Sequence, residues 1–257
     1  MGSRDDGSIF SQDSGTIRRG IDADLDRFMQ ASGWSITQKA ALSCRILAKE
    51  GHARTLAGQI TVRAEQAGTF WTPRFGLGFA EVRTGDLLRV DENMQLLEGA
   101  GMPNPAIRFH LWIYARRPDV SCIVHTHPPY ASALGMTGEP LAVAHMDATM
   151  FHDDCAYLAE WPGVPFANEE GRIICEALGT KRSILLAHHG LLTTGASMEE
   201  AVYLAVLLEH AAQLHVRARA IGPIVPIQAH LARDAHDFLI SPKVVQATFD
   251  SWARQIL

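Results

Sequence analysis

The chain has 257 residues, 47% of them apolar and 20% charged, which is enough to bury a sizeable core and predicts one compact α/β domain. A net charge of −5 and a pI near 6.2, with no basic cluster beyond pairs such as Arg18-Arg19 and Arg116-Arg117, argue against nucleic acid and for a small-molecule partner. No run nears the ~18 apolar residues of a membrane span, the N-terminus lacks a signal-like apolar segment, and Cys44, Cys122, Cys155 and Cys175 read as reduced thiols, so a cytoplasmic protein is expected.

Residues 1–20 read as a flexible tail and 21–257 as the domain. The first strong helix opens at Ser35 or Thr37, where Ser35 and Gln38 form a capping-box pattern, and closes at Gly51. Leu56–Arg63 alternates and is β-branched, Thr69–Pro73 is its hairpin partner, and strands near Leu87–Val90 and Gln95–Leu97 complete an antiparallel meander. Pro105 starts a helix over Ala106–Ala115. Cys122–Thr126 is a strand stopped by Pro128-Pro129, with a short helix near Tyr130–Leu134 after it. Leu141–His145 is expected as a strand, Phe151–Asp154 as an acidic turn, Gly171–Leu178 as helix and Ser183–Ala187 as a buried strand. A last long helix, from Ser197 with Glu200 to about Ala220, closes the series.

The chemistry concentrates where apolar strands end in histidine. His125 and His127 are two apart on a strand, so both imidazoles project to one face. A third histidine follows the apolar run Ser183–Ala187, at His188 or His189. Three neutral imidazoles suit one divalent ion (Zn, Fe(II), Mn or Co) and leave positions open for substrate. Arginine is the natural anchor for a carboxylate, and Arg63, Arg74 and Arg108 are candidates, with Arg74 preferred because Phe75 and Phe79 flank it in a glycine-rich loop. Neither a phosphate-cradling glycine motif nor a nucleophile elbow is present, which argues against nucleotide cofactors and Ser-His-Asp catalysis.

Taken together, HTHPP from His125, LLAHHGL from Leu185, LAGQITVR from Leu56 and RFH from Arg108 resemble, in order and spacing, the class II aldolase/adducin family over about residues 35–225. The resemblance implies a central, mostly antiparallel sheet flanked by helices, a homotetramer with sites near subunit interfaces, and His125, His127 and His189 as metal ligands, with His188 their non-ligating neighbour. Three departures stand out. Ala106 occupies the position of the family aldolases' glutamate, Met146 follows His145 where a catalytic tyrosine is expected, and Gln59 replaces an asparagine.

Without those proton carriers, ordinary sugar-phosphate cleavage is disfavoured. The expected activity is a metal-dependent carbon–carbon lyase, of decarboxylase type, on a keto, hydroxy or hydroxy-aromatic acid. Proton return would fall to His145, Asp147, His152, Asp153 or a metal-bound water, and substrate binding to Gln59, Arg74 and Arg108. Two alternatives remain open: a non-haem Fe(II) oxygenase on an aromatic keto or hydroxy acid, and a non-catalytic adducin-like binding protein.

Overall fold

The computed structural model describes residues 12–28, 32–164 and 168–257. Helix α1 (Ser14–Phe28) belongs to a separate N-terminal unit, and the compact unit runs from Trp34 to Leu257. The expected tail over 1–20 therefore overlaps a helix from Ser14 onward, and its first eleven residues lie outside the described ones.

Helix α2 (Ile36–Lys49) begins where the capping box placed it. The Ser35 hydroxyl accepts from Gln38 N at 3.2 Å, and Ser35 N donates to the Gln38 side chain at 2.8 Å, so two donors that the first turn leaves unpaired are satisfied reciprocally. Strands β1 (Gln59–Arg63), β2 (Thr69–Pro73), β3 (Leu87–Asp91) and β4 (Leu96–Glu98) form the expected meander. A short 3-10 turn, Pro105–Ile107, leads into α3 (Arg108–Arg116) and then β5 (Cys122–Thr126) and α4 (Pro129–Gly135). The second half contributes β6 (Cys155–Leu158), α5 (Asn168–Leu178), β7 (Ser183–Leu186), β8 (Leu191–Gly195), α6 (Met198–Arg219), α7 (Ala229–Leu239) and α8 (Pro242–Arg254).

Among the described residues eight strands form one mixed sheet in the order β4-β3-β2-β1-β5-β8-β7-β6, in which the β6–β7 pair alone is parallel. Both faces are covered, so the central strands are buried at consecutive positions. On β5, Cys122 and Val124 join the core beneath α2, α6 and α8, whereas Ile123 joins the core beneath α3 and α5. His125 shares the parity of Ile123 and meets the edge of Phe109 on α3, with ring centroids 5.1 Å apart.

One expected strand is corrected. Leu141–His145 lies outside the sheet, because its backbone finds other partners. Ala142 N donates to the His215 imidazole on α6 at 3.2 Å, and Val143 O accepts from Ile227 N at 2.9 Å. The edge position goes to β6, which pairs with β7 after the α5 crossover. Among the described residues no helix is long and apolar enough to cross a membrane, and all four cysteines are free.

Candidate metal centre

Strand β5 and the β7–β8 turn bring three imidazoles together. In the sheet register His125 sits opposite Gln59 of β1 on one side and Leu192 of β8 on the other. His127 follows just beyond the strand, on the same face. The β7–β8 turn passes through His188, whose φ of +56° lies in the left-handed region that histidine tolerates better than most side chains. That residue is exposed, and the turn carries His189 inward.

Gly190 closes the turn against β5. A Cβ there would stand 2.4 Å from Thr126 O and 2.8 Å from His127 Cδ2, so only glycine allows the two histidine segments to approach this closely.

The imidazole centroids of His125, His127 and His189 lie 4.6 to 4.8 Å apart, and one nitrogen from each lies within 4.8 Å of the others. His125 is fully buried and its Nδ1–H donates to Leu191 O at 2.8 Å. In the neutral ring this leaves the lone pair on Nε2, which faces His127 Nε2 at 2.9 Å. Burial, reinforced by His189 and His127, holds His125 well below the ordinary histidine range. Burial also lowers His127, and burial together with His127 lowers His189 to about 4. Three converging, neutral nitrogen donors fit a divalent transition metal.

The three histidines line a cavity of about 330 Å³. Leu56, Ala57, Phe75, Pro105, Ala106 and Val164 supply apolar lining, and Gln59 and Asn104 are polar. The Gln59 Nε2 donates to Ala57 O, which orients the amide. Asn104 caps the Pro105–Ile107 turn by accepting from Ala106 N at 3.0 Å. The Asn-Pro pair is a legible helix-start signal, but nothing in the sequence aimed it at the histidines. Ala106 lies in the wall, so the position of the missing glutamate does adjoin the cluster.

Of the residues expected to assist, Gln59 alone shares this cavity. Arg74 is next to it, in a crevice shared with Gln59 and Phe75, and its Nε is paired with Asp86 at 3.1 Å. Arg108 opens on a different groove, with Trp112 and Glu92. Arg63 fastens β1 to the α3–β5 turn, donating to Val120 O and Tyr114 O at 2.8 Å each.

Nor does a single chain bring His145, His152 or Asp153 to the cavity. His145 is exposed and lies 3.6 Å from Asp147, which also meets His210 of α6. His152 and Asp153 line a charged pocket with Arg182, Arg233 and His236. In both cases the loop after the misassigned strand turns toward α6 and α7 rather than toward β5.

Three buried histidines carry no assigned role in the sequence; His215 accepts from Ala142 N, and the other two lie nearer the site. His110 Nδ1 lies 2.9 Å from the Thr61 hydroxyl, and His52 Nδ1 lies 2.8 Å from that of Thr126. Burial pushes each down to about 3, and both support the sheet at the level of the site.

Comparison with known proteins agrees with this architecture. The chain matches the family described as Class II Aldolase and Adducin N-terminal domain over residues 38–216. It is 33% identical over 181 residues to a 4-hydroxy-3-prenylphenylpyruvate oxygenase/4-hydroxy-3-prenylbenzoate synthase of Streptomyces roseochromogenus subsp. oscitans. That match covers 69% of this chain and 65%, just under two thirds, of the relative. The Decarboxylase NovR of Streptomyces niveus is also 33% identical over 181 residues, covering 69% of this chain and 67% of that protein. The structure of L-fuculose 1-phosphate aldolase from Glaciozyma antarctica PI12 superposes with a TM-score of 0.79 at 30% identity, covering 86% of this chain and 88% of that one. Relatives of this chain thus include proteins named as an oxygenase, a decarboxylase and an aldolase. The chain belongs to the class II aldolase/adducin family.

Proposed function

We propose that this protein is a metal-dependent carbon–carbon lyase of decarboxylase type, acting on a keto, hydroxy or hydroxy-aromatic acid. The observation that carries the reading is Ala106 in the wall of the three-histidine cavity. Where an aldolase needs a proton-transferring carboxylate, this chain offers a methyl group. His125, His127 and His189 would hold the ion, which when bound supplies Lewis acidity toward a chelated acid.

The chain's own residues then set the conditions. Leu191 O fixes the His125 tautomer, and Phe109 braces the ring. The apolar wall lowers the local dielectric, which strengthens electrostatic stabilisation of charge developing beside the histidines. Among the described residues no other titratable side chain lines the cavity, so the proton that replaces carbon dioxide comes from solvent at the cavity mouth. We also infer a homotetramer, as is common in the family, and a cytoplasmic setting.

A second reading, a non-haem Fe(II) oxygenase on an aromatic keto or hydroxy acid, is favoured by the name of the Streptomyces roseochromogenus relative. Metal analysis of protein purified without added ions, followed by oxygen-electrode measurements with aromatic keto and hydroxy acids, separates the two. The lyase reading expects turnover without oxygen uptake; iron in the protein and uptake stoichiometric with product would overturn it.

A further inference from the structure

Apolar side chains that remain exposed usually scatter singly over a protein surface. Here three line one cavity together with the three histidines: Leu56 is 44% exposed, Phe75 42% and Val164 51%. They come from three separate chain segments, namely the turn before β1, the loop after β2 and the segment after β6. Pro105 and the Ala106 methyl line the same cavity. Among the described residues no cationic side chain lines the cavity, and the nearby Arg74 is engaged by Asp86.

We propose that the cavity selects acids whose body beyond the carboxylate is uncharged and apolar and extends to the rim, and that Leu56, Phe75 and Val164 are its specificity-determining residues. The inference rests on the proposed metal-dependent reading of the same site and adds the substrate class. The polar end of the ligand lies at the histidines, where nitrogen donors and the Gln59 amide are found. Its tail follows the apolar wall outward and covers the rim. A phosphate ester meets no counter-charge in this wall, and burying one unpaired is unfavourable. Ala106 acts through space: a longer, charged side chain there would fill the path of the tail and place a carboxylate beside it.

Calorimetric titration of the Zn(II)-loaded protein tests this through binding alone. The ligands are pyruvate, 2-oxopentanoate, 2-oxooctanoate, phenylpyruvate and dihydroxyacetone phosphate. Full burial of each added methylene corresponds to roughly fourfold in affinity, so a rise of about two- to fourfold per methylene is expected, with dihydroxyacetone phosphate weaker than 2-oxooctanoate. Phe75→Ala and Val164→Lys should each weaken 2-oxooctanoate and phenylpyruvate by about fivefold or more while pyruvate, too short to reach the rim, is held as before.

A flat series, or tighter binding of the phosphate ester, would overturn the proposal. So would a change in sedimentation of the two variants with the affinity series intact, because the rim would then be a contact between subunits. The two readings also fail separately. A steep series without carbon dioxide release from any acid sinks the lyase but leaves the selectivity standing, whereas release with equal affinity for short and long acids does the reverse.

Discussion

Replacing Gly190 by alanine should damage both the fold and the metal centre, and the size of the effect follows from three contacts. The added Cβ would lie 2.4 Å from Thr126 O, 2.8 Å from His127 Cδ2 and 3.2 Å from His127 Cα. An ordinary carbon–oxygen contact is no closer than about 3.3 Å, so the turn and the end of β5 must separate by about 1 Å. Neither obstacle is the end of a flexible side chain. Thr126 O belongs to the strand that pairs with β8, and the His127 ring is one of the three converging imidazoles.

Overpacking of this kind costs about 1–3 kcal/mol and occasionally more. For a chain of this length about 3 kcal/mol lowers the melting temperature by roughly 6–12 °C. Separation of His127 and His189 should weaken Zn(II) binding by about tenfold or more, the scale seen when the supports of metal ligands are disturbed. Thermal unfolding of the metal-free chain and calorimetric Zn(II) titration measure the two effects. Gly85→Ala is the control, since a Cβ there meets nothing within 4 Å. If Gly190→Ala unfolds and binds Zn(II) like that control, the close approach of the two histidine segments is not what builds the site.

Ala106→Glu should restore proton abstraction beside a carbonyl, read by NMR as solvent deuterium entering dihydroxyacetone, an exchange absent from the native protein; no exchange in a folded, metal-loaded variant would show that the missing carboxylate is not what distinguishes this chain. Metal-free protein should lose stability as pH falls below about 6.5 toward 3, because His52 and His110, lowered to about 3 in the fold, take up protons only when unfolded. The slope is about 1.4 kcal/mol per pH unit for each such histidine, and urea midpoints that stay flat from pH 7 to 5 would contradict it. Ser35→Ala removes the capping box of α2 and should cost about 1 kcal/mol in denaturant unfolding.

Much of the site was legible because it depends on local periodicity. Two histidines spaced by two on a strand must share a face, and a β-branched run ended by Pro128-Pro129 announces that strand. The capping box at Ser35 and the boundaries of β2 were readable for the same reason, since each rests on neighbours within a few residues. Leu141–His145 was misread because its alternation is real but its backbone partners are His215 and Ile227, distant in sequence. His145, His152 and Asp153, on and after that segment, lie toward α6 and α7 within a single chain. The two last helices and β8 were not anticipated, and the parallel β6–β7 pair depends on the α5 crossover, whose register no local pattern encodes. The apolar cavity was invisible for a related reason: Leu56, Phe75, Asn104 and Val164 meet only after folding.

Three histidines that support metal-dependent carbon–carbon cleavage should do so without oxygen. The most direct test is anaerobic trapping of labelled carbon dioxide from a panel of carboxyl-labelled keto, hydroxy and hydroxy-aromatic acids, using metal-loaded protein, chelated protein and His125→Ala. Release by the loaded protein and its loss in the other two are expected. Label that appears only when oxygen is admitted and consumed, or release that persists after chelation and in His125→Ala, would contradict this expectation.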